Sequence, residues 1–215
     1  MLFGDVVRSR QRRRAATAWL ESLCRLLDEL YSGQRVAAFE FTQGDEIQGL
    51  LRPDADPFRA VLEASLRPHA GEGGVPVMRW AIAYGNVDPG RGPATRRSGD
   101  AFLAARDLIE LADHQGDALL CRTGDARTDA LLDGTAPVLA AMIEAMTDRQ
   151  RLIAHLALVD GLRQAQVAER LGVSRPTVSV AWSRADIRNV GRLAQAVRSI
   201  WAEGIGRTAT PGALA

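Results

Sequence analysis

Lysine is absent from this chain, so all 27 of its basic residues are arginines and no site can depend on an ammonium side chain. Cysteine is scarce. Cys24 and Cys121 each sit among apolar residues without metal-ligand spacing, which predicts two reduced core residues rather than a disulfide. The three histidines, His69, His114 and His155, are scattered and form no ligand cluster. No run approaches the roughly 18 consecutive apolar residues that a membrane span needs. The opening MLFGDVVRSRQRRR has too short an apolar stretch before its arginines to serve as a secretory signal, so the expected location is the cytoplasm, with no membrane partner. Low-complexity linkers and internal repeats are missing too. What remains, 47% hydrophobic and 25% charged residues over 215 positions, is enough for one large core or two modest ones.

The net charge of +1 conceals an asymmetry. Residues 1–146 hold 17 Arg against 21 Asp and Glu, a balance of −4, whereas residues 147–215 hold 10 Arg against 5 acids, a balance of +5. A basic unit beside an acidic one is the distribution that phosphate-backbone binding requires.

Hydrophobic periodicity divides the chain further. LFGDVV (2–7) suits a buried strand, and residues 12–31 carry Trp19, Leu20, Leu23, Leu26, Leu27 and Leu30 at helical spacing. VAAFEFTQ (36–43) and EIQGLL (46–51) read as strands joined at Gly44-Asp45, a tight hairpin signal. Residues 57–66 form a helix with Asp56 as cap and Pro57 in its first turn. A strand at 77–85, a helix at 99–112 and a strand at 118–122 complete the order βαββαβαβ. That order predicts an α+β domain at 1–125, a ferredoxin-like or palm-type sheet with helices on one face. A connecting helix follows at 126–146, interrupted near Gly134 and Pro137. An all-α domain at 147–203 and a flexible tail at 204–215 end the expected organisation.

The all-α domain has the most specific pattern. Thr147-Asp148-Arg149-Gln150 is a capping box, and Asp160-Gly161 ends the helix it opens. Gln164 to Leu171 forms a second helix, Gly172-Val173 a sharp turn, and Ser174 caps a third helix running from Arg175 to about Asn189. Ala168 is small where two helices cross, and Val167, Leu171, Val173 and Val178 supply a shared core. The third helix is expected to enter the major groove of double-stranded DNA by its N-terminal end. Arg175, Thr177 and Ser179 would then reach phosphates or base edges, with Arg184 and Arg188 further along on the backbone. The competing reading is a three-helix unit used for protein contact. The stretch QAQVAERLGVSRPTVSVAWSRA resembles the helix-turn-helix of sigma-factor region 4 and of related response-regulator output domains.

In the first domain, a palm-type sheet would set Asp5, in the first strand, beside Asp45 and Glu46 at the hairpin. Paired carboxylates can bridge two Mg²⁺ ions roughly 4 Å apart, which clamp a triphosphate and activate a hydroxyl. The alternative is that Asp5 caps a turn and Asp45 satisfies a hairpin. GDVVRSR (4–10), TQGDEIQGLL (42–51), RWAIAYG (79–85), GDAFLAAR (99–106) and the helix-turn-helix, in that order, resemble the SatD family over nearly the whole chain. The same blocks are similar, more distantly, to class III nucleotidyl cyclases and GGDEF domains.

That resemblance implies Asp5, Asp45 and Glu46 as ligands of Mg²⁺ or Mn²⁺ carrying a nucleoside triphosphate, with Arg10, Gly44 and Arg106 at the nucleotide. It also implies a homodimer, which the two-fold symmetry of operators independently favours. Two departures argue against cyclase turnover: Gln43 replaces the first glycine of the hairpin motif, and Phe102 stands where the cyclase helix supplies an asparagine. The missing lysine removes a purine-recognising group as well. The expected function is a DNA-binding transcriptional regulator whose first domain senses a nucleotide with metal. The alternative is a Mg-dependent nucleotidyltransferase or cyclase regulated by its helix-turn-helix.

Overall fold

The computed structural model describes residues 1–7, 13–41, 46–67 and 76–209. Five strands, β1 (Leu2–Val6), β2 (Arg35–Phe41), β3 (Glu46–Leu51), β4 (Met78–Ala83) and β5 (Leu119–Arg122), form one mixed sheet in the order β2-β3-β1-β4-β5. β1 pairs antiparallel with both β3 and β4, β2 pairs antiparallel with β3, and β5 lies parallel to β4. The first four strands, with α1 (Arg13–Leu30) and α2 (Phe58–Leu66) between them, have the ferredoxin-like order, and the fold class is α+β.

Alternation along the strands decides what covers each face. Leu2, Val6, Trp80, Ile82, Leu119 and Cys121 pack toward Leu20, Leu23 and Leu27 of α1 and the buried side of α2. Met1, Phe3, Ala81, Ala83 and Leu120 point the other way, onto Ala101, Ala105, Leu108 and Ala112 of α3 (Asp100–Gln115). Helices therefore cover both faces, in contrast to the one-faced sheet that the element order suggests. The cause is the composition of β1 and β4, which are apolar on both sides. Strands β3, β4 and β5 run in the same sense, and β3 to β4 and β4 to β5 step the same way across the sheet. Since α2 and α3 lie on opposite faces, the two crossovers have opposite hands, and one departs from the right-handed rule.

After the sheet, α4 (Ala126–Glu144) is one continuous helix with Pro137 inside it, not the interrupted helix expected at Gly134 and Pro137. Pro137 forfeits one backbone hydrogen bond, and the burial of Leu132, Ala136, Leu139, Ala140 and Ile143 along one side outweighs that loss. At its start, the buried Asp129 carboxylate accepts from Thr123 N at 2.6 Å, Thr123 Oγ1 at 2.8 Å and Gly124 N at 3.2 Å, locking the β5–α4 junction.

Four helices complete the chain: α5 (Asp148–Leu158), α6 (Gln164–Leu171), α7 (Arg175–Arg184) and α8 (Ile187–Ala209). Two boundaries differ from the sequence reading. The third helix of the unit stops at Arg184 instead of running to Asn189, because Asp186 turns the backbone to φ 48°. An aspartate tolerates that left-handed conformation, and the turn lets Ile187 and Val190 face the core. Further on, α8 continues beyond the expected end at 203 to Ala209. Gly204 allows this: a β-carbon there would stand 2.6 Å from Thr128 Cγ2 and 2.7 Å from Thr123 Oγ1, so only glycine lets α8 lie against the β5–α4 junction. Thr208 Oγ1 then donates to Thr123 O at 3.0 Å.

The helical unit is fused to the sheet domain through a single continuous core. Its polar anchors are Arg198 Nε to Asp56 Oδ2 at 2.7 Å and His155 Nε2 to Glu63 Oε2 at 3.0 Å. Trp201 meets Phe58 edge-on, with ring centroids 6.0 Å apart at 85°.

Candidate nucleic-acid interface and sheet carboxylates

The helical unit builds its recognition surface from local signals. Thr147 accepts from Gln150 N at 3.4 Å and its own N–H donates to Gln150 Oε1 at 2.9 Å, so α5 begins on a complete capping box. Gly172 ends α6 in the left-handed conformation, φ 61°. Its turn brings the chain to Ser174, whose hydroxyl accepts from Thr177 N and caps α7, with Pro176 in the first turn. Val167, Ala168 and Val178 are buried at the centre of the three helices, with Leu171 and Val173 packed against them.

With Val178 facing inward, the outer face of α7 follows from helical spacing. Pro176, Thr177, Val180, Ser183 and Arg184 are exposed, while Ser179, Ala181 and Trp182 are half-buried at the flanks. Thr177, Val180 and Arg184 stand at i, i+3 and i+7 on one stripe, and Arg175 and Ser174 are exposed at its N-terminal end. Val180, 51% exposed, sits at the middle of that face. Neither Val180 nor Ser183 stands out by residue type; applying the 3.6-residue period to the position of Val178 identifies both. Arg188 lies beyond the Asp186 turn, exposed on the first turn of α8 and outside the stripe.

On the sheet, Asp5 of β1 is the cross-strand neighbour of Glu46 on β3 and of Arg79 on β4. The first pairing sets two carboxylates side by side, an unfavourable juxtaposition that a cation relieves. Arg79 supplies the cation. It is 11% exposed, its Nη1 is 3.3 Å from Asp5 Oδ2, and its Nη2 is 2.7 Å from Asp113 Oδ1 at the C-terminal end of α3. Arg106 is exposed on α3, seven residues before Asp113, about 10 Å along the helix axis. Phe102, a turn earlier, packs against the apolar cluster under α3. Asp45, Gly44 and Arg10, with the arginines around it, lie outside the described residues. Among the described residues no group of three or more His, Cys, Asp or Glu side chains is placed to hold a metal ion.

Both cysteines are buried, and burial pushes the Cys24 thiol up to about 12, with Asp28, Glu40 and Glu21 adding to the shift. Burial raises Cys121 further. Neither thiol is a nucleophile near neutral pH. No helix among the described residues is long and apolar enough to cross a membrane.

No curated protein and no solved structure matches the chain. A family model described as a homeodomain-like domain matches residues 145–186, which span α5, α6 and α7. Its boundaries coincide with the capped helices and the glycine turn derived above, and this segment is a helix-turn-helix DNA-binding domain.

Proposed function

We propose that the protein is a transcriptional regulator that lays α7 in the major groove of double-stranded DNA while its sheet domain senses a small ligand. The observation that carries the reading is the exposed stripe Thr177, Val180 and Arg184 behind the capped N-terminus Ser174-Arg175. A helix entering the groove by its N-terminal end offers base edges and phosphates that combination: hydroxyls and guanidinium groups for polar contacts and a methyl surface for thymine. The +5 balance of residues 147–215 supplies the sequence-independent attraction. Homodimerisation belongs to the same reading, since two-fold operators call for two copies of α7.

The sensing half of the reading is constrained by Arg79. Asp5 and Glu46 are oxygen donors of the kind that Mg²⁺ or Mn²⁺ takes. A divalent ion at Asp5, however, would have to displace a guanidinium held between two carboxylates. The described residues therefore do not fit a resident metal.

DNA binding is tested on duplexes enriched by the protein from a random-sequence pool. Arg175→Ala is expected to weaken binding to the enriched duplex by about 1–3 kcal/mol at constant salt, with thermal unfolding unchanged. Equal affinity of the two proteins would remove Arg175 from the interface.

A further inference from the structure

A cavity of about 380 Å³ opens at the end of the sheet away from Asp5, three residues along β1 and roughly 10 Å from it. The volume is that of a small-molecule site. Its walls come from four parts of the molecule: the strands, through Leu2, Leu50 and Ile82; the β3–α2 connection; the β4–α3 connection, through residues 84–89 and Arg97; and α8, through Trp201 and Ile205. The lining is mainly apolar, and Arg97 brings a guanidinium into it.

That guanidinium is incompletely satisfied. Arg97 Nη2 donates to Asp88 O at 3.3 Å, but Nε is buried without a hydrogen-bond partner. Asp88 cannot readily turn to it. Its carboxylate already accepts from Ser98 Oγ at 2.7 Å, and its N–H donates to Ser98 O at 2.9 Å. The backbone also closes in at Gly90, where a β-carbon would stand 3.2 Å from Arg97 Nε. Nε is enclosed by protein atoms, so a carboxylate in the cavity would accept from the Nη side of the guanidinium, a charge-assisted bond. The other cavity arginine, Arg52, is exposed and pairs with Asp54 at 3.1 Å, and the buried amino group of Met1, pushed down to about 5 by burial, donates to Ala83 O at 2.7 Å, so Arg97 is the side-chain cation left to the interior.

We propose that this cavity binds a small monocarboxylate with an apolar body, its carboxylate accepting from Arg97 and its body packing against Leu2, Leu50, Ile82, Trp201 and Ile205. This ligand deepens the sensing half of the proposed function, because the occupant touches both the sheet domain and α8, the helix that follows α7 across the Asp186 turn. It does not rest on DNA recognition, and the two readings fail separately. A monocarboxylate matches one guanidinium in apolar surroundings, whereas a triphosphate would bring several charges to one cation.

The test is isothermal titration of the full chain with octanoate and, as the uncharged match, octan-1-ol. Octanoate is expected to bind at one saturable site, and Arg97→Met to weaken it by at least about tenfold while leaving octan-1-ol unaffected. Val36→Trp supplies a second variant that does not disturb the core. Val36 lines the cavity while remaining 51% exposed, and a tryptophan there is expected to weaken both probes. The absence of saturable octanoate binding at millimolar concentration would overturn the proposal. So would an affinity unchanged in Arg97→Met. DNA affinity of the same preparations is measured independently and decides only the function proposed above.

Discussion

Trp201→Ala is expected to lower the free energy of unfolding by about 3–5 kcal/mol, equivalent to a fall of roughly 6 to 20 °C in Tm for a chain of this size. Trp201 is 6% exposed and meets Phe58 edge-on, so it joins α8 to α2 and, through α2, to the sheet. Its removal leaves space that the surroundings are poorly placed to refill. The adjoining cavity already opens on one side, and the neighbouring turn of α8 is tethered by the Arg198–Asp56 ion pair. Because the core runs without a break from the strands into the helical unit, sheet and helix-turn-helix are expected to unfold in one transition, in wild type and variant alike. Calorimetry of both proteins measures this. Two resolved transitions, or a loss below about 1 kcal/mol, would show that α8 is a peripheral strap and not part of the shared core.

The second large effect is expected at Glu63. Its carboxylate is 4% exposed and is held by His155 Nε2 at 3.0 Å and by Arg67 Nη2 at 2.9 Å. Burial pushes this carboxyl up, but the hydrogen bonds from His155 and Arg67 outweigh it and hold the group below its ordinary value of 4.5. Glu63→Ala leaves the nearly buried His155 ring without its acceptor and is expected to cost about 3 kcal/mol at pH 7. A carboxylate with a depressed folded pKa contributes stability that is complete above the unfolded value and disappears as pH falls through the folded one. The difference between wild type and Glu63→Ala is therefore expected to hold from pH 7 down to about 5 and to shrink as pH drops below 4.5. Urea titrations at several pH values measure it. A difference that stays undiminished well below pH 4 would mean that the ionised carboxylate is not the stabilising form.

Much of the fold was legible because local signals agreed with the hydrophobic pattern. The capping box at Thr147, the left-handed turn at Gly172 and the cap at Ser174 each specify backbone conformation within a few residues. The alternation of strands and helices likewise gives the element order. Tertiary context decided the remainder. No glycine or proline marks the break at Asp186, and the buried positions Ile187, Val190, Ala194 and Val197 impose it from a distance. Pro137 is a helix breaker by itself, yet the packed side of α4 overrides it. The second covered face of the sheet was readable in principle, since β1 and β4 are apolar at consecutive residues, the pattern of strands buried on both sides.

The candidate sites divide in the same way. The juxtaposition of Asp5 and Glu46 follows from the strand order, but the intrusion of Arg79 depends on the register between β1 and β4, which no local pattern encodes. On α7, a search by residue type selects polar side chains and passes over Val180, whereas the geometry makes Val180 the centre of the exposed face. The cavity is assembled from β1, β2, β3, β4, the β3–α2 and β4–α3 connections and α8, so no contiguous motif could announce it.

The central claim, that the outer face of α7 reads duplex DNA, is tested most directly by fluorescence anisotropy of the enriched duplex with wild type and Val180→Glu. The substitution places an anion at the middle of the stripe while touching nothing in the core, so unfolding free energy is expected to change by no more than about 0.5 kcal/mol. Sequence-specific binding is expected to be lost to the level of a scrambled duplex. Retention of wild-type affinity by Val180→Glu would contradict the account and place the DNA contact elsewhere on the protein.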